Sequence, residues 1–324
     1  MKYIKYDPKN LASFDEEWMP HAYSNDWWTV GGILYDEKEN IYSYGLVFMS
    51  LFMKTYILRI GIMTFTDHSK GKHYLRQIPS IVEGSLEVSS GSAVFSGIGS
   101  ILRRPEGFSI KARQTGISFD LNIENGKGPI RSGHDGIMNI GSGEMHDSIF
   151  SFTLQDMPTV GIANLDGREV NLTGRSFLKR QGGEYNLMHR VNNYESMILN
   201  FYSGDQMYVQ IYPRINTTYA TLYRNGETFL FEDFMVEPMS HVILDGMEYS
   251  DKWKFTLDGE QYSIEPITKG YDNINFYEQA SFIKDPSGNV VGRAFAVSQI
   301  RARNEIDTNT IRENLLKVYE INIE

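Results

Sequence analysis

Cysteine is absent from this 324-residue chain, which excludes a disulfide scaffold, a cysteine-rich zinc site and thiol catalysis. Proline is scarce, at ten residues against 29 glycines, a balance that suits many tight turns. No run of eighteen apolar residues occurs, and the first twenty residues carry no apolar leader core. The chain therefore reads as soluble and cytoplasmic, without stable membrane insertion. Basic residues are also short: 31 Lys and Arg face 41 Asp and Glu, giving a formal charge of −10. Phosphate backbones need a basic stripe, so nucleic acid is excluded as a partner. No glycine-rich phosphate loop opens a helix and no Gly-x-Ser-x-Gly elbow occurs, which argues against nucleotide and serine-hydrolase chemistry.

Helical periodicity is scarce as well. Only the tail, Thr308 to Tyr319, places Ile311, Leu315 and Val318 on one face behind an N-cap at Asp307 or Thr308, predicting a short C-terminal helix. What is abundant is aromatic and alternating. Aromatic residues make up 13% of the chain, and such side chains pack well on a pleated surface. Turn signals recur between short alternating runs, with Asp166-Gly167, Asn225-Gly226 and Asp258-Gly259 supplying the positive φ of type I′ hairpins. The pattern predicts an all-β chain of a dozen or more antiparallel strands in two barrel or sandwich units, residues 1–183 and 184–324. The polar stretch Lys179 to Glu184 closes the first unit.

The sharpest candidate site is Asp26-Trp27-Trp28. Adjacent tryptophans in a strand point to opposite faces, so one enters the core and the other lines a cavity. A carboxylate against such a wall has its pKa raised, as acid catalysis on an alkene or carbonyl requires; the equal alternative is a turn carboxylate bonding local amides, with the tryptophans as ordinary core. Asp67-His68 ends the run Ile57 to Phe65 and forms a second candidate acid–base pair beside the reading as a plain turn. His68 and His73 read as exposed imidazoles whose lysine neighbours oppose a cation. His134-Asp135 with His146-Asp147 is the better metal pattern, and the bland reading is turn capping. Lys179-Arg180 is the strong cationic cluster of the first half, either a solvated face or a carbonyl-polarising pair. Glu278 lies in the apolar strand Phe276-Tyr277-Glu278-Gln279 and is either buried and paired or on a cavity wall. Trp253, Tyr262 and Tyr277 are candidates for the same wall and equally good as barrel filling.

Taken together these residues resemble the hydroxyneurosporene-synthase/AttH-like proteins, whose fold is a pair of lipocalin-like β-barrel domains. Asp26-Trp27-Trp28 with Gly31-Gly32, the Thr66-Asp67 step, Phe150 to Thr153, Leu165-Asp166-Gly167, Gly174 to Gly183 and Phe276 to Gln279 occupy the places of the family's motifs, and Gly292-Arg293-Ala294-Phe295 resembles its closing strands. One departure matters. Phe177-Leu178-Lys179 stands where hydratases of the family have Trp-x-Asp, so the acid for alkene protonation is missing there. The wider group includes carotenoid hydratases, a phytoalexin hydratase and decalin-forming pericyclases.

The resemblance implies an enzyme without a cofactor, binding a bulky polyene or isoprenoid-like substrate and cyclising, isomerising or hydrating its double bonds. The lysine at position 179 favours cyclisation over hydration. Asp26, Lys179 and Glu278 are the expected catalytic residues. Trp27, Trp28, Asp67, His68, Phe177, Arg180, Trp253 and Tyr277 are expected to hold the substrate. The rival is a non-catalytic carrier of a hydrophobic ligand, because an aromatic-lined barrel holds as well as it reacts. A weaker third option is a metal-dependent hydrolase built on His134 and His146.

Overall fold

A computed structural model of the chain describes residues 13–53, 55–140, 148–184, 194–231, 234–244, 247–273 and 277–299. The expected C-terminal helix, Thr308 to Tyr319, lies outside the described residues, as do His146, Asp147 and Phe276.

The first sheet opens with a meander of β1 (Asn25–Tyr35), β2 (Ile41–Phe52), β3 (Ile57–Asp67) and β4 (Lys72–Ser80). A second meander follows: β5 (Leu86–Ser89), β6 (Ser92–Phe95), β7 (Gly99–Arg104), β8 (Gly107–Gln114) and β9 (Ile117–Glu124). After the short β10 (Ile130–Arg131) and β11 (Ile137–Asn139), the long pair β12 (Ser148–Leu165) and β13 (Arg168–Gly183) joins the two, β13 beside β1 and β12 beside β9. The second sheet contains β14 (Tyr194–Phe201), β15 (Gln206–Tyr212), β16 (Thr217–Arg224), β17 (Glu227–Phe231) and β18 (Val236–Leu244). It is completed by β19 (Met247–Leu257), β20 (Glu260–Pro266), β21 (Tyr271–Asp272), β22 (Tyr277–Lys284) and β23 (Val290–Gln299), with β14 paired to β23 in its middle. Every pairing is antiparallel, most of them between strands adjacent or next but one in sequence and the rest, β1–β13, β9–β12 and β14–β23, over longer range, so the fold is all-β, as the turn spacing predicts.

Both sheets curl on themselves. In the first, Phe95 of β6 packs on Phe48 of β2 with ring centres 5.8 Å apart, and Gly61 of β3 leaves the room its ring needs. In the second, the indole N–H of Trp253 on β19 crosses the interior to donate to Glu195 on β14 at 2.8 Å. The hairpin tips adopt the expected backbone: Asn225 and Gly226 have φ of 53° and 87°, Asp258 and Gly259 of 54° and 81°.

Strand β9 shows the one-sided pattern of a sheet facing water, with Ile117, Phe119, Leu121 and Ile123 buried and Ser118, Asn122 and Glu124 exposed. The C-terminal half of β13 breaks that rule, since Ser176 to Gly183 are all buried. The polar stretch from Lys179 is therefore not a tapering end but a strand covered on both faces. One face meets the core of the first barrel and the other meets the second sheet. There Phe177 packs on Phe295 at 5.0 Å between ring centres, in a cluster with Ile198 and Tyr208.

Candidate active site

Alternation along β1 and β13 sorts the sequence candidates into two unlike groups. Asp26, Trp28 and Arg180 face the interior of the first barrel, with Trp28 and Arg180 directly opposed across the strand pair. The Arg180 guanidinium donates to Asp26 Oδ1 at 2.5 Å and sits 4.4 Å over the Trp28 ring. Its other N–H groups reach the carbonyls of Glu17 at 2.7 Å, Met19 at 2.8 Å, Gln181 at 2.5 Å and Trp27 at 3.4 Å. All five guanidinium hydrogens are thus used, and none remains for a substrate carbonyl. His21 hydrogen-bonds Asp26 at 2.9 Å and Glu17 at 2.8 Å, and Trp28 donates to the Trp18 carbonyl at 2.9 Å. The cluster clamps the segment before β1 across the barrel.

The expected raised pKa of Asp26 is corrected here. Burial alone pushes its carboxyl up, but the Arg180 charge and the His21 hydrogen bond outweigh it and hold the carboxyl below the usual range. For His21, burial pushes down, but hydrogen bonds to Asp26 and Glu17 win and raise its pKa. Asp26 is an anion locked in an ion pair and supplies no acid. Trp28 and Trp253 are likewise corrected from pocket walls to core: both are fully buried, in the separate cores of the two sheets. Tyr277 stacks on Tyr249 at 5.4 Å and accepts a hydrogen bond from the Gly270 N–H.

The opposite faces of the same strands turn to the second sheet. Phe177, Lys179 and Gln181 of β13 lie beside Gly31, Thr29 and Trp27 of β1, which in turn lie beside Gly45, Val47 and Met49 of β2. Gln210 of β15 donates to Gln181 at 3.2 Å. Lys179 Nζ stands 5.8 Å from the centre of the Tyr208 ring. Among the described residues it has no carboxylate and no hydrogen-bond partner. Burial without a counter-charge drives its pKa down to about 8. It is not a solvated cation, and its side chain leaves the strand on the face opposite that of Arg180.

Glu278 enters this face from the second sheet. Its carboxyl accepts a hydrogen bond from the Thr64 hydroxyl of β3 at 2.9 Å, with no cation paired to it among the described residues. Burial pushes its pKa up to about 7, and the Thr64 hydroxyl offsets only part of that. Gly45 makes the approach possible: a Cβ there would lie 2.6 Å from Thr64 Oγ1 and 3.1 Å from Glu278 Oε2. Thr64, Gly45, Gly31 and Phe177 form one cross-strand row, with Lys179 in the next row on β13. Glu278 and Lys179 therefore stand in adjacent rows of this face, with β1 between the strands they reach. Thr29 and Val47 in the Lys179 row, and Trp27 and Met49 in the row beyond it, are only half-buried, so this face is not closed by the second sheet.

Two histidines hold the sheets in this relation, against the expectation of exposed imidazoles. His68 hydrogen-bonds Ser43 at 2.9 Å and Thr268 at 2.5 Å. His73 bridges Thr66 at 2.8 Å and Asn273 at 2.9 Å and stacks on Tyr271 at 4.2 Å. Burial lowers the His68 pKa to about 4 and outweighs the nearby Asp67 charge. Asp67 itself accepts from Ser69 Oγ at 2.5 Å and the Lys70 N–H at 3.2 Å. The acid–base pair proposed at 67–68 is thus a strand-ending turn beside a neutral docking histidine. His134 is exposed, and among the described residues no three His, Asp or Glu side chains converge as a metal site.

Sequence reasoning missed Thr64, Tyr208 and Gly45. Only Gly45 left a signal, a glycine inside an apolar strand, which marks close approach of another group.

A family profile described as AttH-like matches residues 5–296. No curated protein sequence matches the chain. Among solved structures, a putative AttH from Nitrosomonas europaea superposes with a TM-score of 0.81 at 15% identity, covering 91% of this chain and 99% of the other. Kievitone hydratase from Nectria haematococca gives 0.72 at 14% identity over 90% and 93%. CghA with Sch210972 gives 0.57 at 9% identity over 91% and 94%. At such identities the likeness shows a common fold.

Proposed function

The chain belongs to the AttH-like family, and from that premise we propose that it is an enzyme acting without a redox cofactor on a bulky apolar substrate held between its two sheets. The reaction is a proton-assisted cyclisation, isomerisation or hydration of carbon–carbon double bonds. The observation that carries this reading is Glu278, a buried carboxyl with a pKa near 7 and a single hydroxyl partner, facing the first sheet. Near neutrality about half of such groups carry a proton, which is the condition for a general acid. The family acid missing at position 179 thus has a substitute from the opposite sheet.

Lys179 serves the other end of the substrate. With a pKa of about 8 it is mostly an ammonium at pH 7, able to polarise a carbonyl oxygen from a site that supplies no competing anion. That placement, on strands that are not neighbours, fits an extended molecule with its carbonyl at Lys179 and its alkene at Glu278. Trp27 would flank a developing carbocation with its ring. In hydration, Glu278 gives its proton to an alkene carbon, water adds to the cation, and the carboxylate takes the proton back. In cyclisation the same groups orient and polarise the polyene. The asparagine-like inertness of the ion-paired Asp26 leaves it outside the chemistry. The domains at 1–183 and 184–324 are the two halves that deliver one group each.

The test is a panel of carbonyl-bearing polyenes and prenylated phenols, with products of unchanged mass or one water heavier sought by liquid chromatography–mass spectrometry. Turnover is expected to fall about 100-fold or more in Glu278→Gln, with ligand still bound in native mass spectra. It should also decline as pH rises through about 7, as Glu278 loses its proton. Ligand binding with no turnover by the native protein, or turnover untouched in Glu278→Gln, would favour the carrier instead.

A further inference from the structure

Beyond the Phe177–Phe295 contact, on the side away from Lys179, the two sheets leave a separate cleft of about 260 Å³. Its charged groups are Arg175 and Asp156 from the first sheet and Arg293 from the second. Arg175 is already engaged, with Nε 3.7 Å from Asp156 Oδ1 and Nη1 donating to the Asp156 carbonyl at 3.2 Å. Arg293 meets the Tyr35 hydroxyl, but among the described residues no carboxylate pairs with it, and its Nε–H is buried without a hydrogen-bond acceptor. Its cross-strand neighbour Asn200 has an equally orphaned Oδ1. The guanidinium carbon lies 4.6 Å from the centre of the Tyr35 ring and 5.5 Å from that of Tyr202, so both rings lie against the cationic head.

A buried donor left unmade is costly, and each such group calls for a partner. Two guanidinium groups and one carboxylate leave one positive charge in excess, in a protein whose formal charge is −10. We infer that this cleft binds the carboxylate of a small organic acid, with Arg293 as its anchor. The planar fork of arginine matches a carboxylate in two parallel hydrogen bonds. A phosphate dianion would keep one charge uncompensated. The Tyr202, Phe177 and Phe295 rings in the lining suit a flat ligand body. The volume equals that of about nine liquid waters at ~30 Å³ each, room for a small aromatic hydroxy acid and too little for a nucleotide. The inference stands on these observations alone and not on the roles given to Glu278 and Lys179.

Calorimetric titration of the full chain with 4-hydroxybenzoate, 4-hydroxybenzamide and inorganic phosphate tests it. Saturable binding of 4-hydroxybenzoate is expected, with the neutral amide at least about ten-fold weaker, the size of one charge-assisted hydrogen bond. Arg293→Met should lose about ten-fold or more, and Arg293→Lys should keep part of the affinity. Glu278→Gln should leave binding unchanged, which separates this site from the proposed reaction. Absence of saturable binding by the native chain, equal binding by acid and amide, tighter binding of phosphate, or an undiminished affinity in folded Arg293→Met would each overturn the assignment. Should Arg293→Met fail to fold, Arg293→Gln provides the same reading.

Discussion

Glu278→Gln is expected to be more stable than the native chain at pH 8, by up to about 3 kcal/mol, while losing its turnover. The stability follows from linkage. The folded pKa of Glu278, about 7, lies above the ordinary carboxyl value of 4.5. Its contribution is therefore fully present below about pH 4.5 and is lost as pH rises to about 7, because the unfolded chain ionises first. A shift of that size corresponds to about 3 kcal/mol at 1.36 kcal/mol per pH unit. Glutamine stays neutral at every pH and still accepts from Thr64, so the variant escapes the loss.

Lys179→Met should mirror this behaviour from the other side. The folded pKa of Lys179, about 8, lies below the ordinary 10.5, so its contribution is lost as pH falls through about 8 and the variant is the more stable at pH 7. Urea unfolding of the three proteins at pH 4.5, 6, 8 and 10 measures both effects, the Glu278 gain growing from pH 4.5 to 8 and the Lys179 gain from pH 10 to 8. A gain for Glu278→Gln that does not grow with pH, or a loss at pH 8, would contradict the reading of Glu278. Gains in stability at the expense of activity are the mark of groups kept for chemistry.

The opposite sign is expected at Asp26. Asp26→Asn removes the carboxylate that neutralises Arg180, and Arg180 is fully buried. Breaking one member of a buried pair leaves an uncompensated charge and typically costs 3–5 kcal/mol. The His21 contacts to Asp26 are weakened with it. Chemical denaturation should report that loss, and amide exchange should show the segment 13–21 opening first, since Arg180 holds it through the carbonyls of Glu17 and Met19. The double variant Asp26→Leu with Arg180→Met should recover much of the loss, because an apolar pair leaves no stranded charge. Asp26 contributes stability at pH values above its lowered pKa and loses it on acidification through that value. His21, whose pKa is raised, contributes below its ordinary 6.5 and loses that contribution as pH rises through the folded value. A loss below about 1 kcal/mol in Asp26→Asn would mean that the ion pair is not what holds the barrel shut.

The strands were legible where a local rule decides them. Asn225-Gly226 and Asp258-Gly259 announce hairpins because only positive φ closes so short a turn, and β9 announces its faces because one of them meets water. Glu278 was legible as a carboxyl inside an apolar strand. Its partner was not, since Thr64 lies 214 residues away. The Asp26 environment misled for the same reason: its neighbours in sequence are tryptophans, but the charge that sets its pKa comes from Arg180, 154 residues on. Lys179 to Gly183 read as a polar end because sequence periodicity marks strands with one wet face, and this one has none. His68 and Thr268, 200 residues apart, show the same limit.

Infrared titration of the native protein against Glu278→Gln isolates the carbonyl stretch of one protonated carboxyl and follows it with pH. The proton held between the sheets should leave with a midpoint near 7. A midpoint at the ordinary 4.5, or no difference band at all, would mean that Glu278 is an anion at neutrality and cannot be the acid.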